Sequence, residues 1–296
     1  MHKNLKPNFI FFGTPDVASL TLEILKQNGY IPSLIVTARD MPQGRKMLIT
    51  PPPVKVWAIE NNIPFIQPEN IKDLFPETQF RGSSPKLGFG EADLFLVVAY
   101  GKIMPEELIN LPKFGSINIH YSLLPKYRGA SPVESAILNG DTETGISIQK
   151  MQFKMDSGPI IAQEKITILA DEKAPDLRKR LIKIGSELLV KTLSTSTLLP
   201  LGKEEVPKAE DVFKLTPQDE SQAIYCKKIK KEDGLINLND DPIKNYNKFR
   251  AYATWPRTFF FENKKRIIIT DAVLENNQFV IKKIIPEGGK EINYKN

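Results

Sequence analysis

The segment 93–100, Asp-Leu-Phe-Leu-Val-Val-Ala-Tyr, is almost continuously apolar along an extended chain. A strand of this kind is buried on both faces, which is typical of the centre of a parallel sheet. Shorter apolar runs at residues 9–14 and 33–37 have the same character, and a segment with helical periodicity, 16–28, lies between them. Strands that alternate with helices predict an α/β fold built on a mostly parallel sheet.

The same patterns predict the other elements of the N-terminal part. Strands are expected at 65–66, 116–121, 144–151 and 159–168, and helices at 54–62, 105–111, 131–139 and 174–199. The buried face of the helix at 16–28 should carry Val17, Leu20, Ile24 and Leu25. Residues 38–53, dense in Pro and Gly, are expected to form a polar loop.

The pattern changes after a Pro- and Lys-containing stretch at 200–210. One helix is expected at 243–253, followed by short strands at 258–261, 266–270 and 279–285, with hardly room for a hairpin between Ala272 and Phe279. A chain of 296 residues is long enough for two cores. We therefore expect a first domain at 1–200, a linker at 201–210 and a smaller β-rich domain at 211–296.

The net charge of +6 is concentrated in the C-terminal part, where residues 207–296 hold 17 basic and 13 acidic side chains. A basic excess on a small module suggests a polyanionic partner, although a lysine-rich solvated surface would look the same. The single cysteine, Cys226, excludes a disulfide framework, and no apolar run is long enough to span a bilayer. We expect a cytoplasmic protein without a membrane partner.

Asn118 and His120 are the most chemically suggestive pair in the chain. Residues i and i+2 of a strand share a face, so both side chains point one way while Ile117 and Ile119 point into the core. Asp156 follows in a short loop between two strands, where its carboxylate could favour imidazolium and orient the ring. With an amide that donates to a developing oxyanion, this trio suits carbonyl chemistry. A structural histidine and a turn aspartate are the alternative.

Other site types are disfavoured. One cysteine and two histidines leave no metal-ligand set, and Ser122 lacks the Gly-x-Ser-x-Gly context of a serine hydrolase. The turn Gly13-Thr14-Pro15 is not a dinucleotide fingerprint, because Pro15 has no amide for a phosphate. Arg45 and Lys46 lie in the predicted loop and could reach a phosphate backbone, or could belong to a solvated surface.

Taken together, these motifs resemble the methionyl-tRNA formyltransferase family, a branch of the folate-dependent formyltransferases, over nearly the whole chain. The matching segments are Phe11-Phe12-Gly13-Thr14-Pro15-Asp16, Gly44-Arg45-Lys46, Val98-Ala99-Tyr100-Gly101, residues 117–125 with Tyr127-Arg128-Gly129-Ala130, Met155-Asp156-Ser157-Gly158, and residues 228–234. The resemblance implies a Rossmann-like domain followed by an OB-like barrel, here shortened because the chain ends at Asn296.

The resemblance also implies the reaction and its site. The formyl group of 10-formyltetrahydrofolate would pass to the amino group of methionine on initiator tRNA, without a metal and in a monomer. Asn118, His120 and Asp156 would be catalytic, and Arg45 and Lys46 would approach the tRNA. The folate pocket would be lined by Val98, Tyr100, Gly101, Ser122, Leu123, Leu124 and Pro125.

Three alternatives stay open on the sequence. A sugar-nucleotide N-formyltransferase would share the trio, but it needs a pocket rather than a broad basic face. A folate- or RNA-binding protein without catalysis would have no need of the trio. Hydrolysis of formyl-folate would not require an appended basic module.

Overall fold

The computed structural model describes residues 6–44, 46–71, 89–195 and 212–294. Contacts within the chain divide it into two compact units. The first contains Met1–His120, Ser147–Glu164 and Ile182–Asp219, and the second contains Tyr121–Ile146, Lys165–Leu181 and Glu220–Asn296. The predicted linker at 201–210 lies outside the described residues.

The helices and strands follow the predicted alternation. The strands are β1 (Phe9–Gly13), β2 (Leu34–Val36), β3 (Met41–Gln43), β4 (Leu48–Thr50), β5 (Phe65–Ile66), β6 (Leu94–Val98), β7 (Ser116–His120), β8 (Arg128–Gly129), β9 (Glu143–Lys150), β10 (Ile160–Thr167), β11 (Tyr225–Cys226), β12 (Phe259–Glu262), β13 (Lys265–Glu275), β14 (Gln278–Pro286) and β15 (Ile292–Asn293). The α-helices are α1 (Asp16–Gln27), α2 (Pro53–Glu60), α3 (Glu106–Ile109), α4 (Pro132–Leu138), α5 (Ala174–Thr195) and α6 (Pro242–Ala251).

The main sheet has the strand order β10-β9-β7-β6-β1-β2-β5. β1 pairs in parallel with β2 and β6, β2 with β5, and β6 with β7, whereas β9 runs antiparallel to β7. Every residue of β1 and β6 is buried, as expected for strands covered on both faces. The predicted α/β fold with a mostly parallel sheet is confirmed.

An aromatic cluster fills one side of this sheet. The ring of Phe12 lies 5.0 Å from that of Phe95 and 5.4 Å from that of Tyr100, with Phe89 against Phe95 at 5.9 Å, between ring centroids. Their edge and tilted arrangements are the favourable ones for aromatic pairs. Burial raises the pKa of Tyr100 to about 12, so this hydroxyl stays neutral in the core.

Helix α1 buries two of the four predicted residues, together with two other apolar residues beside them. Val17, Ala18, Leu22 and Leu25 are buried, but Leu20 is 48 % exposed and Ile24 is only partly covered. The turn between β1 and α1 explains this difference, because the Gly13 backbone passes close to Ala18. A Cβ on Gly13 would lie 2.6 Å from the Cβ of Ala18, so the turn brings that side of the helix to the sheet.

The predicted polar loop at 38–53 was wrong in its middle. β3 and β4 form a two-stranded antiparallel hairpin, with Met41 opposite Thr50 and Gln43 opposite Leu48. Met41, Leu48 and Ile49 are 58–66 % exposed, so apolar side chains cover a surface where polar ones were expected.

The second unit contains a separate antiparallel sheet of order β12-β13-β14-β15. Helix α6 packs on it, and Tyr246 and Phe249 of the helix join Ile267, Ile269 and Ile281 of the strands in one core. Asp241 caps the helix by accepting a hydrogen bond from the Lys244 amide at 2.8 Å, and Pro242 fits the first turn. The predicted smaller β-rich domain is confirmed in its secondary structure.

The expectation that no hairpin fits between Ala272 and Phe279 was also wrong. β13 and β14 run on to Glu275 and Gln278, which pair across a two-residue turn. Asn276 and Asn277 form this turn at φ 50° and 58°, the left-handed region that asparagine tolerates better than most residues.

Candidate active site

Strand β7 presents Asn118 and His120 on the same face. The alternate residues Ile117 and Ile119 are 1 % and 4 % exposed, as predicted for side chains that point into the core. His120 is 6 % exposed, and Asn118 is partly covered. β7 pairs with β6 as far as Asn118 and with β9 as far as His120, so the site end of the strand is held by β9.

The loop between β9 and β10 carries Asp156 in a backbone conformation with φ +49°. Gln218 fixes this loop, because its Nε2 donates to the carbonyl oxygens of Asp156 at 2.9 Å and Gly158 at 2.6 Å. Residue 158 must be glycine, since a Cβ there would collide with the carbonyl oxygen of Lys150. The loop is therefore held rigidly against the strand it follows.

Asp156 and His120 come together across the sheet. The distance from Oδ2 of Asp156 to Nδ1 of His120 is 3.6 Å, an electrostatic contact slightly longer than a hydrogen bond. Their side chains are 16 % and 8 % exposed, so little water screens the contact.

Gln149 is a polar residue of this site that the sequence analysis missed. Its Nε2 donates to Oδ1 of Asp156 at 2.9 Å, and on β9 it pairs with Asn118 of β7. Gln149 is 2 % exposed in the otherwise largely apolar run Ile146-Ser147-Ile148-Gln149. A buried amide in such a strand was the available signal, but its partner depends on the pairing of β9 with β7.

A cleft of about 160 Å³ opens beside these groups. Its lining residues are Lys102, Ile103, Met104, Ile109, Asn118, Gln149, Met151, Gln152, Phe153, Met155 and Asp156. His120 does not line the cleft, and its contact with the cleft runs through Asp156. Oδ1 of Asn118 and Oε1 of Gln149 are buried without a hydrogen-bond partner within the described ranges. Mostly apolar walls and two free acceptors are typical of a small-molecule site.

The residues predicted to bind folate occupy two places. Val98 and Tyr100 are buried, and the Tyr100 carbonyl accepts a hydrogen bond from Oγ1 of Thr14 at 3.1 Å. Gly101 follows at φ +79°, and the cleft lining begins one residue later, at Lys102. On this side the backbone turn at 99–101, rather than the buried side chains, leads to the cleft.

Ser122, Leu123, Leu124 and Pro125 belong to the second unit and form a tight turn. Ser122 Oγ donates to the carbonyl oxygen of Lys126 at 2.6 Å, and the Lys126 amide donates to the Leu123 carbonyl at 3.0 Å. Leu124 is 3 % exposed, and the Pro125 carbonyl accepts from the Ile224 amide.

Of the two residues predicted to contact tRNA, Lys46 is exposed in the turn of the β3–β4 hairpin. Arg45 lies outside the described residues. No group of three His, Cys, Asp or Glu side chains suited to a metal ion occurs within the described ranges. In the same ranges, every helix is too short or too polar to cross a membrane.

Two family models match the chain. One, described as formyl transferase, covers residues 6–193, and the other, described as formyl transferase, C-terminal domain, covers residues 228–295. Together with the α/β sheet and the cluster around Asp156, these matches define the class, and the chain belongs to the formyl transferase family.

Curated relatives show which members of that family the chain is similar to. The methionyl-tRNA formyltransferase of Geobacter metallireducens is 38 % identical over 252 residues, which cover 85 % of this chain and 75 % of the relative. The methionyl-tRNA formyltransferase of Staphylococcus epidermidis is 37 % identical over 265 residues, covering 90 % and 79 %. Within the formyl transferases, the chain is therefore similar to methionyl-tRNA formyltransferases.

Solved structures support the fold. A methionyl-tRNA formyltransferase from Clostridium thermocellum aligns with a TM-score of 0.59 and 17 % identity over 97 % of this chain and all of that one. An N-formyltransferase from Helicobacter canadensis, in complex with folinic acid and dTDP-3-aminofucose, aligns with a TM-score of 0.66 and 19 % identity over 98 % and 100 %. At these identities the likeness shows the fold alone.

Proposed function

We propose that this chain transfers the formyl group of 10-formyltetrahydrofolate to the amino group of methionine on initiator tRNA. The observation that carries the proposal is the cluster of Asn118, Gln149, Asp156 and His120 at a cleft, in a chain 38 % identical to a methionyl-tRNA formyltransferase. Catalytic roles for Asn118, His120 and Asp156 are part of the proposal.

The lining of the cleft suits the ring system of a folate. Apolar side chains such as Ile103, Met151 and Phe153 would cover a flat heterocycle, and Oδ1 of Asn118 and Oε1 of Gln149 can accept hydrogen bonds from N–H donors. The predicted contacts of Val98, Tyr100, Gly101 and residues 122–125 with this co-substrate remain part of the proposal. The folate supplies the formyl group as an activated carbonyl.

The side chains then have distinct tasks. Attack of a neutral amine on the formyl carbon places negative charge on the carbonyl oxygen, and the Asn118 amide N–H donates to it. Asp156 Oδ2, beside His120 Nδ1, can accept the proton that the amine loses on forming the new C–N bond. A proton returned from this pair to the departing nitrogen, as the old C–N bond breaks, balances the reaction.

The identity of the acceptor separates the two candidate enzymes. Curated methionyl-tRNA formyltransferases match at 36–38 % identity over most of the chain, whereas the solved structures of both classes, at 14–19 %, do not separate them. The basic excess of residues 207–296, with 17 basic and 13 acidic side chains, also suits a polyanionic acceptor. These two facts support tRNA over the alternative, a sugar nucleotide.

The deciding experiment offers both acceptors to the purified chain. Formyl-folate is supplied with charged initiator methionyl-tRNA and with an amino-sugar nucleotide, alone and in competition. Formylation of the tRNA, with no product from the sugar nucleotide, is expected. Transfer to the sugar nucleotide alone would replace the proposed function by the alternative.

Three further properties belong to this proposal. The domain division at 1–200, 201–210 and 211–296 would separate the catalytic part from the tRNA-binding part. Arg45 and Lys46 would approach the tRNA. The enzyme would act as a monomer in the cytoplasm.

A further inference from the structure

A second cleft lies entirely within the second unit, beside helix α6 and strand β13. Its volume is about 30 Å³, against about 160 Å³ for the first cleft, which gives room for one or two water-sized atoms such as the oxygens of a larger ligand. Its lining residues are Lys173, Phe249, Tyr252, Ala253, Arg257, Thr258, Ile269 and Thr270. None of these eight carries a carboxylate.

Two hydroxyl groups of this cleft are buried without a partner. Thr258 is 2 % exposed, and neither its Oγ1 nor that of Thr270 forms a hydrogen bond in the part of the chain that the structure describes. A buried polar group without a partner costs about 1–3 kcal/mol. The first cleft likewise has two buried polar atoms without a partner, on Asn118 and Gln149. Because a hydroxyl can donate a hydrogen bond, the two threonines indicate a ligand that accepts hydrogen bonds.

Two cations border the same cleft without carboxylate partners. Lys173 Nζ lies 4.9 Å above the ring of Phe249, and neither Lys173 nor Arg257 forms an ion pair with a described residue. The carboxylates next to Lys173 in the chain are already occupied. Asp171 accepts from the Tyr246 hydroxyl at 2.8 Å, and Glu172 pairs with Arg180 at 2.7 Å.

The backbone around Arg257 is held in an unfavourable conformation. Arg257 has φ +66°, which costs a residue with a side chain about 1 kcal/mol relative to glycine. Gly234 makes this possible, because a Cβ there would collide with the Arg257 carbonyl oxygen. The next residue is fixed by the Ile269 amide, which donates to the Thr258 carbonyl at 2.9 Å. An arginine side chain retained at such a position is therefore a candidate for function.

We propose that this cleft binds one phosphate group of an RNA backbone. Lys173 and Arg257 supply the charge, and the hydroxyls of Thr258 and Thr270 donate to the phosphate oxygens. A phosphate group can accept from several donors at once and is stabilised by positive charges nearby. The cleft has room for only one or two water-sized atoms, so the phosphate belongs to a larger molecule that stays outside it. The inference rests on the proposed tRNA acceptor and adds a specific contact to it.

The first test removes the charges. Binding of initiator methionyl-tRNA is measured over a range of salt concentrations for the full chain and for a Lys173→Gln/Arg257→Gln double variant. Loss of one phosphate contact lowers the slope of log K against log salt by roughly 0.7–0.9. Lys179→Gln, which removes an exposed charge from helix α5 away from the cleft, is the matched control and leaves the slope unchanged. Equal slopes for the double variant and the wild type would overturn the site.

The second test removes a hydroxyl without changing charge or shape. Thr258→Val raises the Kd for the same tRNA by roughly threefold to tenfold, as expected for a lost hydrogen bond to a charged group. Thr144→Val is the control, because Thr144 also has a buried hydroxyl without a partner but does not line the cleft. Without RNA, the melting temperature of Thr258→Val does not fall. A lower melting temperature with unchanged Kd would assign the hydroxyl to internal water and reject the proposal.

The formyl transfer assay distinguishes failure of the proposed function from failure of the phosphate site. If the wild-type chain does not formylate tRNA, the proposed function fails. If it does, and the double variant and Thr258→Val keep the wild-type KM for tRNA, the phosphate site alone fails.

Discussion

Gln149 holds one oxygen of Asp156 by a 2.9 Å hydrogen bond, which leaves the other oxygen facing His120 at 3.6 Å. The amide is buried, so the carboxylate has one orientation rather than two. Gln149 therefore has two ends with different roles: its Oε1 faces the cleft and can accept from the folate, and we propose that its Nε2 positions Asp156.

The first prediction concerns this positioning. Gln149→Leu should lower kcat by roughly tenfold to a hundredfold, with a smaller change in the KM for tRNA. This factor corresponds to the free energy that a hydrogen bond to a charged group contributes. Gln149→Glu should be worse near neutral pH, because two carboxylates repel, and should recover in part as the pH falls. Gln163→Leu, which removes a bond to Ser147 at 2.8 Å from the same sheet, is the control. Identical pH profiles for all three variants would argue for a purely structural role.

The second prediction concerns His120. His120→Ala should reduce formyl transfer by about 10²–10⁴-fold, because the ring acts on charge and protons in the transition state. Folate binding, followed by fluorescence, should stay close to that of the wild type, since His120 does not line the cleft. A loss of folate affinity as large as the loss of rate would remove His120 from the chemistry.

The third prediction concerns Arg45, which precedes Lys46 in the sequence. Arg45→Ala should raise the KM for tRNA more than that for folate, and the difference should shrink at high salt, where phosphate contacts weaken. Lys55→Ala is a suitable control, because Lys55 is already paired with Asp40 at 2.7 Å. If Arg45→Ala leaves the tRNA dependence unchanged at every salt concentration, Arg45 is not at the interface.

Local periodicity was enough to predict much of the fold and part of the site. The predicted ends of β6 and β7 lie within two residues of the observed ends. The residues of a buried strand differ in polarity pattern from the residues that flank it, so its ends are visible in the sequence. The shared face of Asn118 and His120 follows from alternation along one strand.

Features that depend on pairing between distant segments could not be read in the same way. Gln149 reaches Asp156 only because β9 pairs with β7 in one register, with Asn118 opposite Gln149. The β3–β4 hairpin was missed because its Pro and Gly residues suggested a loop. In the structure, Leu48 pairs with Gln43 and Ile49 pairs with Pro42.

The fourth prediction concerns alkaline stability. The pKa of Tyr246 is raised from 10.0 to about 12, by burial and then by its hydrogen bond to Asp171. The pKa of Tyr246 is higher in the folded chain than in the unfolded chain. The neutral hydroxyl therefore contributes its full stabilisation of the fold below pH 10, and this contribution is lost as the pH rises towards 12. Tyr246→Phe should lower the free energy of unfolding at pH 8 by about 1–2 kcal/mol and flatten its decline above pH 10. The measurement is urea unfolding at pH 8 and 10.5. Tyr252→Phe, whose hydroxyl has no hydrogen bond to a described residue, should change stability less.

The fifth prediction compares two hairpins with the same kind of turn. Asn276 and Asn277 join β13 to β14 at φ 50° and 58°, and Asn263 and Lys264 join β12 to β13 at φ 48° and 62°. Both central residues of such a turn are left-handed, and glycine is favoured in the second position. Asparagine tolerates this conformation through local hydrogen bonds, whereas lysine has no such compensation.

Lys264→Gly should therefore stabilise the fold by about 0.5–1 kcal/mol, and Asn277→Gly by less, because part of each gain is offset by the greater freedom of glycine in the unfolded chain. Asn277→Val should destabilise by about 1–2 kcal/mol, since a β-branched residue strongly resists this region. Thermal unfolding of the three variants beside the wild type measures the order. A larger gain at position 277 than at 264 would show that side-chain contacts, rather than backbone strain, decide the stability of these turns.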